Sequence, residues 1–124
     1  MSEIDLSPAP VSHAKPSGWF KTMGLCKHAE ARDHDGFITL PGASDAASLS
    51  LYGAIHRSYP NDTAHWLLIA RKLDALLAEL HNDHDTRMRY AWLPDSRYDR
   101  IARSNDHPDF TREHAIWLLT TIGE

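Results

Sequence analysis

Cysteine is almost missing: Cys26 is the single thiol in 124 residues. No disulfide can form within the chain and no multi-cysteine metal site can be assembled. A domain without such staples is expected in a reducing, cytoplasmic setting. Long apolar runs are missing too. The longest, such as Trp66-Leu67-Leu68-Ile69-Ala70, has five residues, far short of the ~20 that cross a bilayer, so no membrane association is expected. Met1 to Pro10 has neither a basic start nor an apolar stretch, so no signal peptide is expected. There is no Gly-rich phosphate loop, no Gly-x-Ser-x-Gly elbow and no Cys-x-x-Cys pair, which argues against the nucleotide-dependent classes. Basic charge is in deficit: 13 Lys and Arg stand against 17 Asp and Glu, a formal net charge of -4. Indiscriminate nucleic-acid binders usually carry the opposite sign.

What is present reads as one globular domain. Hydrophobic residues at 42% and charged residues at 24% match ordinary folded chains, and the length suits a single core. Nine histidines are the one marked excess. Residues 1–18, with Pro8, Pro10, Pro16 and Gly18, read as a flexible N-terminal arm, because each proline removes a backbone donor and fixes φ. The domain is then residues 19–124.

The spacing predicts a mainly α domain of four to five helices with a small β-hairpin or two-stranded ribbon. Ser44 or Asp45 is expected to cap a helix carrying Ala47, Leu51, Ala54 and Ile55 and ending before Tyr59-Pro60. Asn61 or Asp62 is expected to cap the central helix, where Trp66, Ile69, Ala70, Leu73, Leu77 and Leu80 recur at helical period. Leu67, Leu68 and Leu76 widen that stripe and predict burial on more than one face. Met88, Tyr90 and Trp92 alternate with Arg87, Arg89 and Ala91, a period of two that predicts a strand over 86–93 paired with Phe37–Leu40. Asp95 or Ser96 should cap a short helix around Ile101, and Asp109 or Thr111 a last one, with Gly123 as its stop. Tyr59-Pro-Asn-Asp-Thr-Ala-His-Trp-Leu-Leu68 also echoes His107-Pro-Asp-Phe-Thr-Arg-Glu-His-Ala-Ile-Trp-Leu-Leu119.

Three groups carry candidate chemistry. The first is His81, His84 and Asp85, an N/O donor set for a divalent metal if one helix runs through both imidazoles. The plainer reading is a solvated helix end. The second is the His-Asp doublet, at His34-Asp35 and His84-Asp85. With the apolar run Leu76–Leu80 before it, this resembles the metal-binding doublet of HD-superfamily phosphohydrolases, although Asn82 splits the doublet that directly follows that run. The third is Arg87, Arg89, Tyr90, Trp92, Arg97, Tyr98, Arg100 and Arg103. From 86 to 103, five Arg less two Asp leave +3 in an acidic chain. Arg, Tyr and Trp dominate protein contacts, and the same set can clamp phosphates and stack bases. Cys26, beside Lys27-His28, reads as a small buried hydrophobe.

The reading adopted is a non-enzymatic protein-binding regulator or inhibitor, without a cofactor, whose partner is another protein. Small antitoxin-like, immunity-type or virus-encoded anti-defence proteins share this profile as a class. Exposed Asp83, Asp85, Asp95, Asp99 and Asp106 would let such a protein mimic phosphates. The alternatives are a small metal-dependent phosphoesterase or ribonuclease using His81 and His84, and a nucleic-acid-binding domain using Arg87 to Arg103.

Overall fold

The longest element is the helix that the apolar period marks out most clearly. In the computed structural model, which describes residues 14–95 and 98–124, it spans Thr63–Asn82. The Asp62 side chain caps it by accepting from the His65 N–H at 3.0 Å. Ile69, Ala70, Leu73 and Leu77 face the core. Leu67 and Leu68 stay exposed, so the helix buries one stripe and not the wider face expected.

Six helices are present among the described residues, not four to five. They are α1 (Pro16–Trp19), α2 (Leu51–Ser58), α3 (Thr63–Asn82), α4 (His84–Arg89), α5 (Arg100–Asp106) and α6 (Arg112–Thr121). Short strands β1 (Gly24–Leu25), β2 (Ala31–Arg32) and β3 (Ser48–Leu49) form a three-stranded sheet in the order β1-β3-β2. β1 runs parallel to β3 and β2 antiparallel to it.

Each departure from expectation has a local cause. Residues 86–93 do not form a strand. Asp83 accepts from the Thr86 N–H at 3.0 Å and from the Thr86 hydroxyl at 2.6 Å, which starts α4. Asp85 in the first turn and Arg87 and Arg89 in the last suit the helix dipole. No residue of α4 is buried, so nothing enforced the period of two. Phe37–Leu40 pairs instead with β2, through a bridge between Arg32 and Ile38. The second helix starts at Leu51, not near Ser44, because the Ala47 N–H donates to the Arg32 carbonyl at 2.8 Å and holds residues 47–49 beside β2. Ser50 is its cap, accepting from the Gly53 N–H at 3.0 Å. Gly53 is required there, since a Cβ would lie 1.9 Å from the Glu30 carbonyl oxygen. The cap of α5 is Asp99, a left-handed residue, while the expected alternative Ser96 lies outside the described residues.

Residues 1–13 of the expected arm lie outside the described residues, but 14–18 are held in place. The Ser58 hydroxyl donates to the Ala14 carbonyl at 2.7 Å and accepts from the Trp19 indole at 2.9 Å. Ser17 bonds the Glu124 carboxylate through both its N–H and its hydroxyl, joining α1 to the end of the chain. The core gathers Phe20, Leu49, Leu51, Ile55, Leu73, Leu77, Trp92, Phe110, Leu118 and Leu119.

A polar seam ties the sheet to α5. Asn105 is buried, accepts from the Leu51 N–H at 2.9 Å and donates to the Cys26 carbonyl at 3.0 Å. Next to it the Lys27 ammonium donates to the carbonyls of Asn105, His107 and Phe110 at 2.6, 2.7 and 3.0 Å. Those carbonyls lie in and just after the last turn of α5, where a cation offsets the partial negative charge.

Candidate functional site

The Arg-aromatic stretch lines a concavity of the described surface. α4 supplies Arg87, the turn after it supplies Tyr90 to Asp95, and α5 with its entry supplies Tyr98, Asp99, Arg103 and Asp106. The cleft measures about 760 Å³, within the usual range of binding pockets. His81 closes one side from the end of α3, and His107 stands at the end of α5.

The eight expected contact residues divide by what already holds them. Arg87, Arg89, Tyr98 and Arg103 are exposed, and all but Arg89 line the cleft. Arg103 uses Nε on the Tyr98 carbonyl at 3.0 Å, and Arg87 bonds the His81 carbonyl at 3.3 Å. Each guanidinium has five N–H groups, so donors remain for a bound molecule. Tyr90 is half-buried, with its ring centroid 5.2 Å from Trp92 and 5.7 Å from Trp117. Trp92 is 2% exposed and packs edge-on against Phe110, so it supports the wall from the core and is not a surface contact. Arg100 is tied to Asp74 at 3.0 Å and fixes α5 to α3. Arg97 lies outside the described residues.

Two polar atoms around the cleft are buried with no hydrogen-bond partner: Nδ1 of His81 and Nε1 of Trp92. Such atoms are uncommon in folded chains, because desolvation is then uncompensated. The lining carries Arg87 and Arg103 against Asp95, Asp99 and Asp106. It is therefore a mixed surface and not an anion funnel.

The expected carboxylate array is largely occupied by the fold. Asp83 caps α4, and its hydrogen bonds from Thr86 hold its pKa below the usual carboxylate range. Asp99 caps α5 and accepts from the Tyr52 hydroxyl at 3.2 Å, and burial together with that carboxylate pushes the tyrosine pKa up to about 12. Asp106 accepts from the His28 N–H at 2.8 Å. Asp85 and Asp95 are left as exposed carboxylates.

His81, His84 and Asp85 are not assembled as a ligand set. The helix breaks at Asp83, whose ψ of 116° is extended, so the two imidazoles stand on successive helices and not on one face. His84 Nδ1 lies 3.4 Å from an Arg87 nitrogen. Among the described residues no group of three or more His, Cys, Asp or Glu is placed to hold a metal ion. His34 and Asp35 sit exposed in a turn. Cys26 is buried, with its thiol pKa raised chiefly by desolvation. No described helix is long and apolar enough to cross a membrane.

One feature escaped the sequence reading. Asn105 and Lys27 carry the seam without any motif to announce them. The echo between the two Pro-to-Trp segments marks a shared entry device: His65 and His114 both occupy the third helical position, below caps Asp62 and Thr111. Compared with models of known protein families, with curated proteins and with solved structures, the chain matches none.

Proposed function

We propose that this protein is a small non-enzymatic interaction module, a regulator or inhibitor, that docks on another protein through the cleft between α4 and α5. One juxtaposition carries the reading: exposed Arg87, Tyr98 and Arg103 stand around a single concavity of about 760 Å³. Arg and Tyr head the residue types that dominate protein contacts, and such anchors work best around a pocket that excludes water. The unoccupied guanidinium N–H groups ask for acceptor oxygens, so the complementary surface presents carboxylates or backbone carbonyls. α5 is a firm base for this, being fixed by the Arg100–Asp74 pair and by Asn105.

The test is affinity capture from host extract with the wild-type protein and with an Arg87→Glu/Arg103→Glu double variant of unchanged circular dichroism. A protein retained by the wild type and reduced about tenfold or more by the double variant is expected, as for loss of two anchors. Equal retention by both would overturn the assignment to the cleft. Retention of RNA or DNA that falls steeply with salt would replace it with the nucleic-acid reading.

A further inference from the structure

We propose that the outer edge of the sheet, at Phe37–Leu40, receives an extended basic segment of a partner protein as an added strand. This surface is separate from the cleft. The Asp33 N–H donates to the Phe37 carbonyl at 2.9 Å, and the Thr39 N–H donates to the Ala31 carbonyl at 3.1 Å. Those two bonds flank the antiparallel Arg32–Ile38 bridge. In that register the flanking residues bond inward, and the N–H and C=O of Ile38 point out of the sheet. Among the described residues neither Ile38 group has a hydrogen-bond partner, and nor does the Leu40 N–H.

The side chains on this edge are apolar and open. Phe37, Ile38 and Leu40 are 70%, 69% and 75% exposed. Folded proteins usually blunt such an edge with lysine, proline or a bulge. Here no lysine or proline occurs from Gly36 to Leu40, and Pro41 stands only at the end. Strand addition uses this combination: main-chain groups give affinity and alternate side chains give specificity.

Charge identifies the occupant. Residues 33–45 hold Asp33, Asp35 and Asp45 and no Lys or Arg. The nearest guanidiniums are already engaged: Arg32 bonds the Gly36 carbonyl at 2.9 Å, and Arg57 bonds the Pro41 carbonyl at 2.7 Å. A second copy of this chain would set these carboxylates against their own kind, which is unfavourable across paired strands. A strand of alternating apolar and basic residues places its apolar side chains beside Ile38 and Leu40 and its cations beside the aspartates.

The experiment uses the full chain and two synthetic peptides, one alternating valine with lysine and one alternating valine with glutamate. Binding is read by amide chemical shifts and titration calorimetry. The lysine peptide should perturb residues 36–40 and bind roughly fivefold or more tightly than the glutamate peptide, as one or two exposed ion pairs allow. Ile38→Pro should abolish that binding while preserving the fold, because the N–H it removes has no partner within the chain. Asp35→Lys, which leaves every edge hydrogen bond in place, should narrow or invert the preference between the peptides. Equal binding of both peptides, shifts confined to the cleft, or no binding would overturn the proposal. So would a wild-type dimer in sedimentation that Ile38→Pro makes monomeric, since the occupant would then be a second copy.

Discussion

Asn105 and His81 are polar side chains that the fold treats oppositely. Asn105 is buried with its carbonyl oxygen on Leu51 and its amide on Cys26, beside a lysine that donates to three carbonyls. His81 keeps a buried Nδ1 with no partner, and Trp92 near it keeps a buried indole N–H in the same condition. The first region is closed: Asn105 and Lys27 find their partners within the chain, and the result is attachment of α5 to the sheet. The second region is open. It borders the cleft, adjoins a helix that buries no residue, and leaves hydrogen-bonding capacity that a bound molecule can meet.

The largest effect should come from breaking the closed side. Asn105→Leu removes both partners at once and leaves the Leu51 N–H and the Cys26 carbonyl buried and unpaired, at about 2–4 kcal/mol together. Urea unfolding should show that loss as a lower midpoint. A loss below about 1 kcal/mol would mean that water takes over both groups and the seam is not closed.

Lys27→Met comes next. The methionine fills similar space but donates nothing to the carbonyls of Asn105, His107 and Phe110. Hydrogen bonds from a charged donor contribute roughly 1.5–3 kcal/mol, and partial access of water to this site places the expected loss near about 2 kcal/mol. Hydrogen exchange should quicken in α5 first, because Lys27 binds where that helix ends.

On the open side a comparable change should cost almost nothing. His81→Leu replaces a ring whose Nδ1 is unsatisfied, and the expected shift in stability is within about 0.5 kcal/mol. The same variant should weaken retention of the captured protein if the cleft is the docking site. A stability loss as large as that of Asn105→Leu would erase the contrast between the two regions.

The contrast also explains what was legible in the sequence. α3 was readable because apolar residues at helical period meet a core and Asp62 stands at the head. α6 was readable for the same reasons, with Thr111 at its start and Gly123, at φ 72°, at its end. The Arg-aromatic stretch was readable as a group, since five of its eight members line or rim one cleft. That Trp92 enters the core and Arg100 pairs with Asp74 is not visible in composition, which does not show which aromatic is buried or which arginine finds a carboxylate. α4 was misread because alternation implies a strand only when one face is buried, and no face of it is. The seam was invisible because the bonds of Asn105 join residues 54 and 79 positions apart in the chain.

A last small effect concerns the cap of α6, where a titratable group packs against Tyr90 and Trp92 of the cleft wall. His114 Nδ1 accepts from the Thr111 N–H at 3.1 Å while Thr111 caps the helix. Only an unprotonated ring nitrogen can accept, and burial holds the His114 pKa below its ordinary value. The folded state therefore favours the neutral ring. Its contribution is complete above the unfolded value near ~6.5 and is lost as pH falls through the window between that value and the lowered folded one. His114→Gln keeps an acceptor at the third helical position without a proton to gain. Unfolding free energy should therefore fall more steeply with acid in the wild type than in His114→Gln, by an amount below about 1 kcal/mol, toward the low end for a helix cap. Parallel curves for the two proteins would show that His114 stays neutral, or plays no part, across that window.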